Sequence, residues 1–161
     1  MGLDMYLNKK TYIGGNYDFN GIKGSIKLTK KGFNPETKEV IEKMPIKVNL
    51  KRVTYIEEEL CYWRKSNQIH AWFVDNCQDG VDDCKPYYVD IEQIKELLSL
   101  CEAVTKEKDP SLLPSRGGFF FGSTDADEYY YDDIKRTSRE LRKIIREYEE
   151  YEFSIFYESS W

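Results

Sequence analysis

One histidine, His70, serves a chain of 161 residues. That scarcity excludes a metal site built from several imidazoles, and it leaves a Cys–His pair as the only triad-like arrangement open to the chain. The four cysteines, Cys61, Cys77, Cys84 and Cys101, contain no CxxC spacing, so neither a zinc knuckle nor a thioredoxin-type redox pair is present. Cys77 lies seven residues beyond His70 on one expected helix, about 10 Å away and out of reach. Only Cys84 could fold back onto the imidazole. No stretch approaches the roughly 18 apolar residues of a membrane span, and MGLDMYLNKK lacks the apolar run of a signal peptide. The expectation is a cytoplasmic chain without membrane contact, its cysteines reduced. Internal repeats, low-complexity tracts and linkers are absent too, and the length suits one domain.

Cations are sparse after the first third. Residues 1–52 carry 11 Lys+Arg against 5 Asp+Glu, whereas residues 53–161 carry 13 against 24, for a net charge of −5. An acidic total argues against broad nucleic-acid binding, which depends on phosphate neutralisation by Lys and Arg. The basic third reads as lysines guarding exposed strand edges. What the chain has in quantity is aromatic surface: 15% of residues, 13 of them tyrosine, a side chain suited to half-buried strands and to binding sites.

Alternation predicts strands in GLDMYL (Leu3, Met5, Leu7 inward), in SIKLTK, in PIKVNLK (Ile46, Val48, Leu50 inward, with a phase shift before Val53) and in the closing EFSIFYESSW. GFNPETKE is turn chemistry. Together, residues of about 12–56 form a basic hairpin or meander inserted in the domain. A 3.6-residue stripe of Ile69, Trp72, Phe73 and Cys77 predicts a first helix over about 63–77, stopped at Gly80. Asp90 with Gln93 opens a second helix as a capping box, and Asp125 with Glu128 is expected to open a third. The run at 119–121, three phenylalanines between glycines, reads as a buried strand. The fold class is therefore α+β: a single domain with a mostly antiparallel sheet of about five strands and about three helices packed on one face.

Three local patterns bear on chemistry. Tyr62, Trp63, Arg64, Lys65 and Asn67 combine ring faces, two cations and an amide, a set suited to a nucleotide-like ligand or to a protein interface. Gly122, Ser123 and Thr124 offer a glycine turn and hydroxyls at a helix start. Gly117 and Gly122 have P-loop spacing, but Ser123 stands where the essential lysine belongs, so the pattern favours backbone recognition of a ligand over nucleotide hydrolysis. Asp79, Asp82 and Asp83 crowd one turn. An EF-hand alignment starting at Asp75 fails for want of a bidentate glutamate at Pro86, which leaves a looser divalent-cation site as the only metal option.

GLDMYL, YWRKSNQIHAWFV, QDGVDDC, GGFFFGSTDADEYY and the terminal SW resemble a family of small uncharacterised proteins carried mainly by phages and prophages. The resemblance covers residues 1–7 and most of 60–161. It implies a mobile-element accessory protein acting in a bacterial cytoplasm, and it implies no catalytic residues. The function expected is binding, extending to sequestration, of a nucleotide-like small molecule such as a bacterial defence signal, without cofactor or catalysis, with room for a homo-oligomer whose sites lie between subunits. The alternatives are an inhibitor that binds a host protein directly, and a metal-dependent hydrolase built on the three aspartates.

Overall fold

The computed structural model describes residues 2–13, 28–49, 52–151 and 153–161. In chain order the elements are β1 (Asp4–Tyr12), β2 (Leu28–Phe33), β3 (Val40–Ile46), β4 (Tyr55–Arg64), α1 (Asn67–Cys77), β5 (Tyr87–Val89), α2 (Ile91–Glu107), a short 3-10 turn (Pro110–Leu112), α3 (Glu128–Glu150) and β6 (Ser154–Ser160). They form two compact units, one of Met1–Thr11 with Glu57–Trp161, the other of Tyr12–Ile56.

The smaller unit holds β2 and β3, paired antiparallel with an irregularity between Lys30 and Gly32. The Asn34 side chain accepts from the amides of Glu36 and Thr37 and makes the expected turn. β3 ends at Ile46, earlier than the alternation predicts. Ile46 and Val48 are each 41% exposed, because two strands alone offer little surface to bury them against. Leu50 lies outside the described residues, as do the first three residues of the expected SIKLTK strand.

The larger unit is built on a four-stranded sheet in the order β4-β1-β6-β5. β1 and β6 run antiparallel, from Asp4 opposite Ser160 to Lys10 opposite Ser154, so the two alternating segments at either end of the sequence pair as expected. β5 adds to the other edge of β6, with Val89 opposite Ile155. Period-2 alternation sends Met5 and Leu7 of β1, with Leu3 just ahead of it, Cys61 and Trp63 of β4, and Ile155 and Tyr157 of β6 into one core. There they meet Ile69 and Phe73 of α1, Ile94, Leu97 and Cys101 of α2, and Ile134, Leu141 and Ile144 of α3. Full burial of such a side chain contributes about 1.5–3 kcal/mol, so these contacts dominate the unit's stability. Phe73 stacks on Tyr157 at 4.0 Å and 9°, which fixes α1 on β6.

Local chemistry sets the helix boundaries. α2 begins with the capping box, Asp90 accepting from Glu92 N while Gln93 accepts from Asp90 N. α1 begins at Asn67, four residues later than the stripe suggests, because Tyr62, Trp63 and Arg64 belong to β4. Lys65, at φ 58°, makes the strand-to-helix turn. α3 begins at Glu128 with Asp127 as its cap, not with an Asp125–Glu128 box. The phenylalanine run is a turn, not a strand: Phe121 N bonds to Gly118 O, Phe121 is buried and Phe119 is 95% exposed.

Candidate functional site

The turn between β4 and α1 and the loop ahead of α3 enclose a cleft of about 410 Å³. Arg64, Lys65 and Gln68 line one side, Gly122 and Ser123 the floor, and the first turns of α3 the other side. The two segments are locked together by Asn67. Its amide nitrogen donates to the carbonyls of Phe121 at 3.3 Å and Ser123 at 2.6 Å, while Ser66, which precedes it, donates to Asp133 at 2.5 Å. Because that hydroxyl is spent on α3, Ser66 makes no side-chain cap for α1. Lys65 N bonds to Leu3 O at 2.8 Å, which extends β4 pairing to the cleft's edge. A Cβ on Gly122 would sit 3.4 Å from Lys65 Cβ, so the lysine stem lies against the glycine turn.

The structure thus brings together four of the sequence-derived candidates, Arg64, Lys65, Gly122 and Ser123, and separates four others. Trp63 is wholly buried and donates its indole N–H to Thr137 at 2.8 Å; it is a core residue, placed inward by strand alternation. Tyr62 lies on the opposite face of β4, where it donates to Asp4 and tilts its ring against Tyr6. Asn67 is buried and shapes the cleft from behind; its side-chain oxygen has no partner. Thr124 is exposed and does not line the cleft.

The electrostatics of the cleft are uneven in a telling way. Four carboxylates line it, and each has a partner: Asp125 accepts from Ser123, Asp127 caps Tyr130 N, Asp132 pairs with Lys135, and Asp133 with Ser66 and Arg136. Among the described residues neither Arg64 nor Lys65 has a carboxylate partner. Gln68 is only 4% exposed and its amide nitrogen makes no hydrogen bond. A buried amide without a partner costs about 1–3 kcal/mol, and this nitrogen is itself closed to solvent, so it does not face a ligand in the cleft. Gln68 lines both this cleft and a smaller one of about 180 Å³ behind α1. The sequence pattern does not single out Gln68 or Tyr129; for the first, the available signal is its place directly before the apolar stripe that opens at Ile69.

The acidic turn does different work. His70 is fully buried, with Nε2 3.0 Å from Asp82 and Nδ1 2.7 Å from the Tyr157 hydroxyl. A carboxylate only accepts, so Nε2 carries the proton and Nδ1 accepts from Tyr157. Burial holds the imidazole below its ordinary 6.5, against the opposing pull of Asp82. Asp82 also accepts from the indole of Trp161 at 3.2 Å, and Phe121 lies edge-on to His70 at 4.9 Å. Both ring nitrogens being engaged, His70 does not pair with Cys84. Asp83 is taken up by Lys85 and Tyr87, and among the described residues no three of His, Cys, Asp and Glu gather as a metal site, so Asp79, Asp82 and Asp83 do not converge on a cation. Burial pushes the thiols of Cys61, Cys77 and Cys101 up to about 12, which leaves them protonated at neutral pH.

No protein-family model, curated protein or solved structure matches the chain. Among the described residues no helix is long and apolar enough to cross a membrane.

Proposed function

We propose that this is a phage-derived accessory protein that binds a nucleotide-like anion in the cleft and holds it without chemical conversion. The observation that carries the reading is that Arg64 and Lys65, which have no carboxylate partner among the described residues, line one concave surface together. Guanidinium and ammonium groups supply charge-assisted hydrogen bonds to a phosphate. Protonated buried thiols and a fully engaged histidine supply no activated nucleophile, which favours sequestration over turnover. A nucleotide used as a defence signal by a bacterial host is the ligand that the resemblance to phage-borne proteins favours.

The test is a thermal-shift screen across mono-, di- and cyclic nucleotides, followed by heat denaturation and recovery of the ligand. The reading expects a shift with at least one nucleotide, recovery of that nucleotide intact, and loss of the shift in Arg64→Ala. Absence of any shift, or release of a new chemical species, contradicts it.

A second reading has its own observation. Phe119 is 95% exposed, and Phe120, next to it, stacks on Trp161 at 6.5 Å and 26°. An aromatic knob held out by a fixed turn suits inhibition of a host protein by direct contact. Phe119→Ser separates the two: it abolishes co-purification of a host protein if the knob is the interface, and leaves nucleotide shifts unchanged if the cleft is the site.

A further inference from the structure

His70 stands behind the floor of the cleft. Its ring is wholly buried and meets the ring of Phe121 edge-on at 4.9 Å, and Phe121 meets Trp161 at 6.1 Å. The Phe121 carbonyl accepts from Asn67, and the two residues after it, Gly122 and Ser123, are the floor itself. One side chain therefore separates the imidazole from the surface offered to a ligand. The ring is satisfied only while neutral. Nε2–H donates to Asp82, and Nδ1 accepts from the buried Tyr157 hydroxyl at 2.7 Å. A second proton lands on Nδ1 and faces the O–H that donates there, so two donors meet and the hydroxyl proton loses its acceptor. Stranding a buried donor is unfavourable, so the ring and its neighbours must shift. Of the charged groups acting on the ring, Asp82 favours the second proton, whereas burial and Arg116, itself paired with Asp75, oppose it. The thiols of Cys77 and Cys84 act on Tyr157 from its other neighbours. Asp82 and Trp161 are partly exposed, so the network opens to solvent on that side.

We infer that His70 is a proton switch on the cleft: the neutral ring holds Phe121 and the floor in place, and a second proton releases them and weakens the hold on a bound anion. Release of the turn stands on the contacts of His70 alone. Its effect on affinity rests on the anion-binding reading above and deepens it by giving that site a control. Trp161 supplies a second route for the same signal, because it donates to Asp82 at 3.2 Å and stacks on Phe120. At neutral pH the ring is uncharged and the floor is held; acidification charges the ring and frees the floor. The coupling is reciprocal, so a ligand that needs the ordered floor makes the ring harder to protonate.

The experiment follows hydrogen exchange of the full chain by NMR from about pH 7 to about pH 5, corrected for intrinsic rates, beside the ring signals of the single histidine. The amide of Phe121 and the indole N–H of Trp161 should lose protection by about tenfold, with the same midpoint as the ring titration, while the amide of Leu97 in α2 keeps its own. Asp82→Asn removes the charge that favours the second proton and should move both midpoints to lower pH; His70→Gln should abolish the change. Unchanged protection at the turn, a midpoint that differs from the ring's, or loss at Leu97 in step with the turn overturns the switch. A second arm titrates inorganic pyrophosphate by calorimetry at the two pH values. Affinity should fall more steeply in the parent chain than in Asp82→Asn, by about tenfold. Equal falls overturn the control of binding and leave the anion site standing, whereas no binding at either pH overturns the anion reading and leaves release of the turn to the exchange data.

Discussion

The side-chain amide of Asn67 donates to the carbonyl of Ser123 at 2.6 Å and so ties the first residue of α1 to the loop that floors the cleft. Asn67→Asp sets a carboxylate against two carbonyls and removes both donors. A loss of about 1–3 kcal/mol is expected in urea melts, the cost of stranding buried acceptors. Asn67→Asp should also lose ligand binding, because Ser123 and Gly122 are no longer held opposite Arg64 and Lys65. A stable variant with unaltered binding would show that the loop keeps its place without this bond.

Lys65 offers a way to remove charge without disturbing the backbone. Its φ of 58° is a conformation that glycine adopts freely. Lys65→Gly should leave the melting temperature nearly unchanged, and should weaken phosphate-bearing ligands by about tenfold, with a shallower salt dependence. Calorimetry at two ionic strengths measures both.

Gly118 tests the turn that the sequence misrepresents. A Cβ there would lie 2.6 Å from the Phe121 ring, so Gly118→Ala must drive Phe121 from its place against His70 and Trp161. Overpacking of this kind costs about 1–3 kcal/mol, read as a lower midpoint in denaturant. Gly117→Ala, where the added carbon meets only Thr124 at 3.7 Å, is the matched control and should be close to neutral.

His70 sets a pH dependence of stability. Burial and Arg116 lower its proton affinity in the folded protein, and Asp82 only partly offsets them, so below 6.5 the unfolded chain takes up a proton that the folded one resists. Stability is therefore full above 6.5 and falls as the pH drops through the lowered folded value. His70→Gln keeps a donor and an acceptor for Asp82 and Tyr157 but cannot titrate. It should flatten the change of melting temperature between pH 7 and 5, even if the variant is less stable at neutral pH.

Much of the frame was legible in residue periodicity. The alternation of Leu3, Met5 and Leu7 and of Ile155 and Tyr157 marked two strands that pair with each other, and Asp90 with Gln93 marked the start of α2. The sequence pattern places Trp63 in a helix because the charged residues 57–59 obscure the period-2 alternation that turns Cys61 and Trp63 inward in β4. The phenylalanine run reads as a strand because hydrophobicity alone does not show that Phe121 is enclosed while Phe119 is exposed. The cleft was half legible. Arg64 and Lys65 drew notice for their charge and Gly122 and Ser123 for their turn chemistry, but Asn67 meets Phe121 across 54 residues, a proximity that no local pattern encodes.

The most direct test of the cleft as a binding site is native mass spectrometry of the full chain purified from bacterial lysate, beside Arg64→Ala and Lys65→Gly. The account predicts a nucleotide-sized adduct on the parent chain, released intact on denaturation and missing from both variants. A ligand-free spectrum of the parent chain, with no adduct after addition of nucleotides, would contradict it.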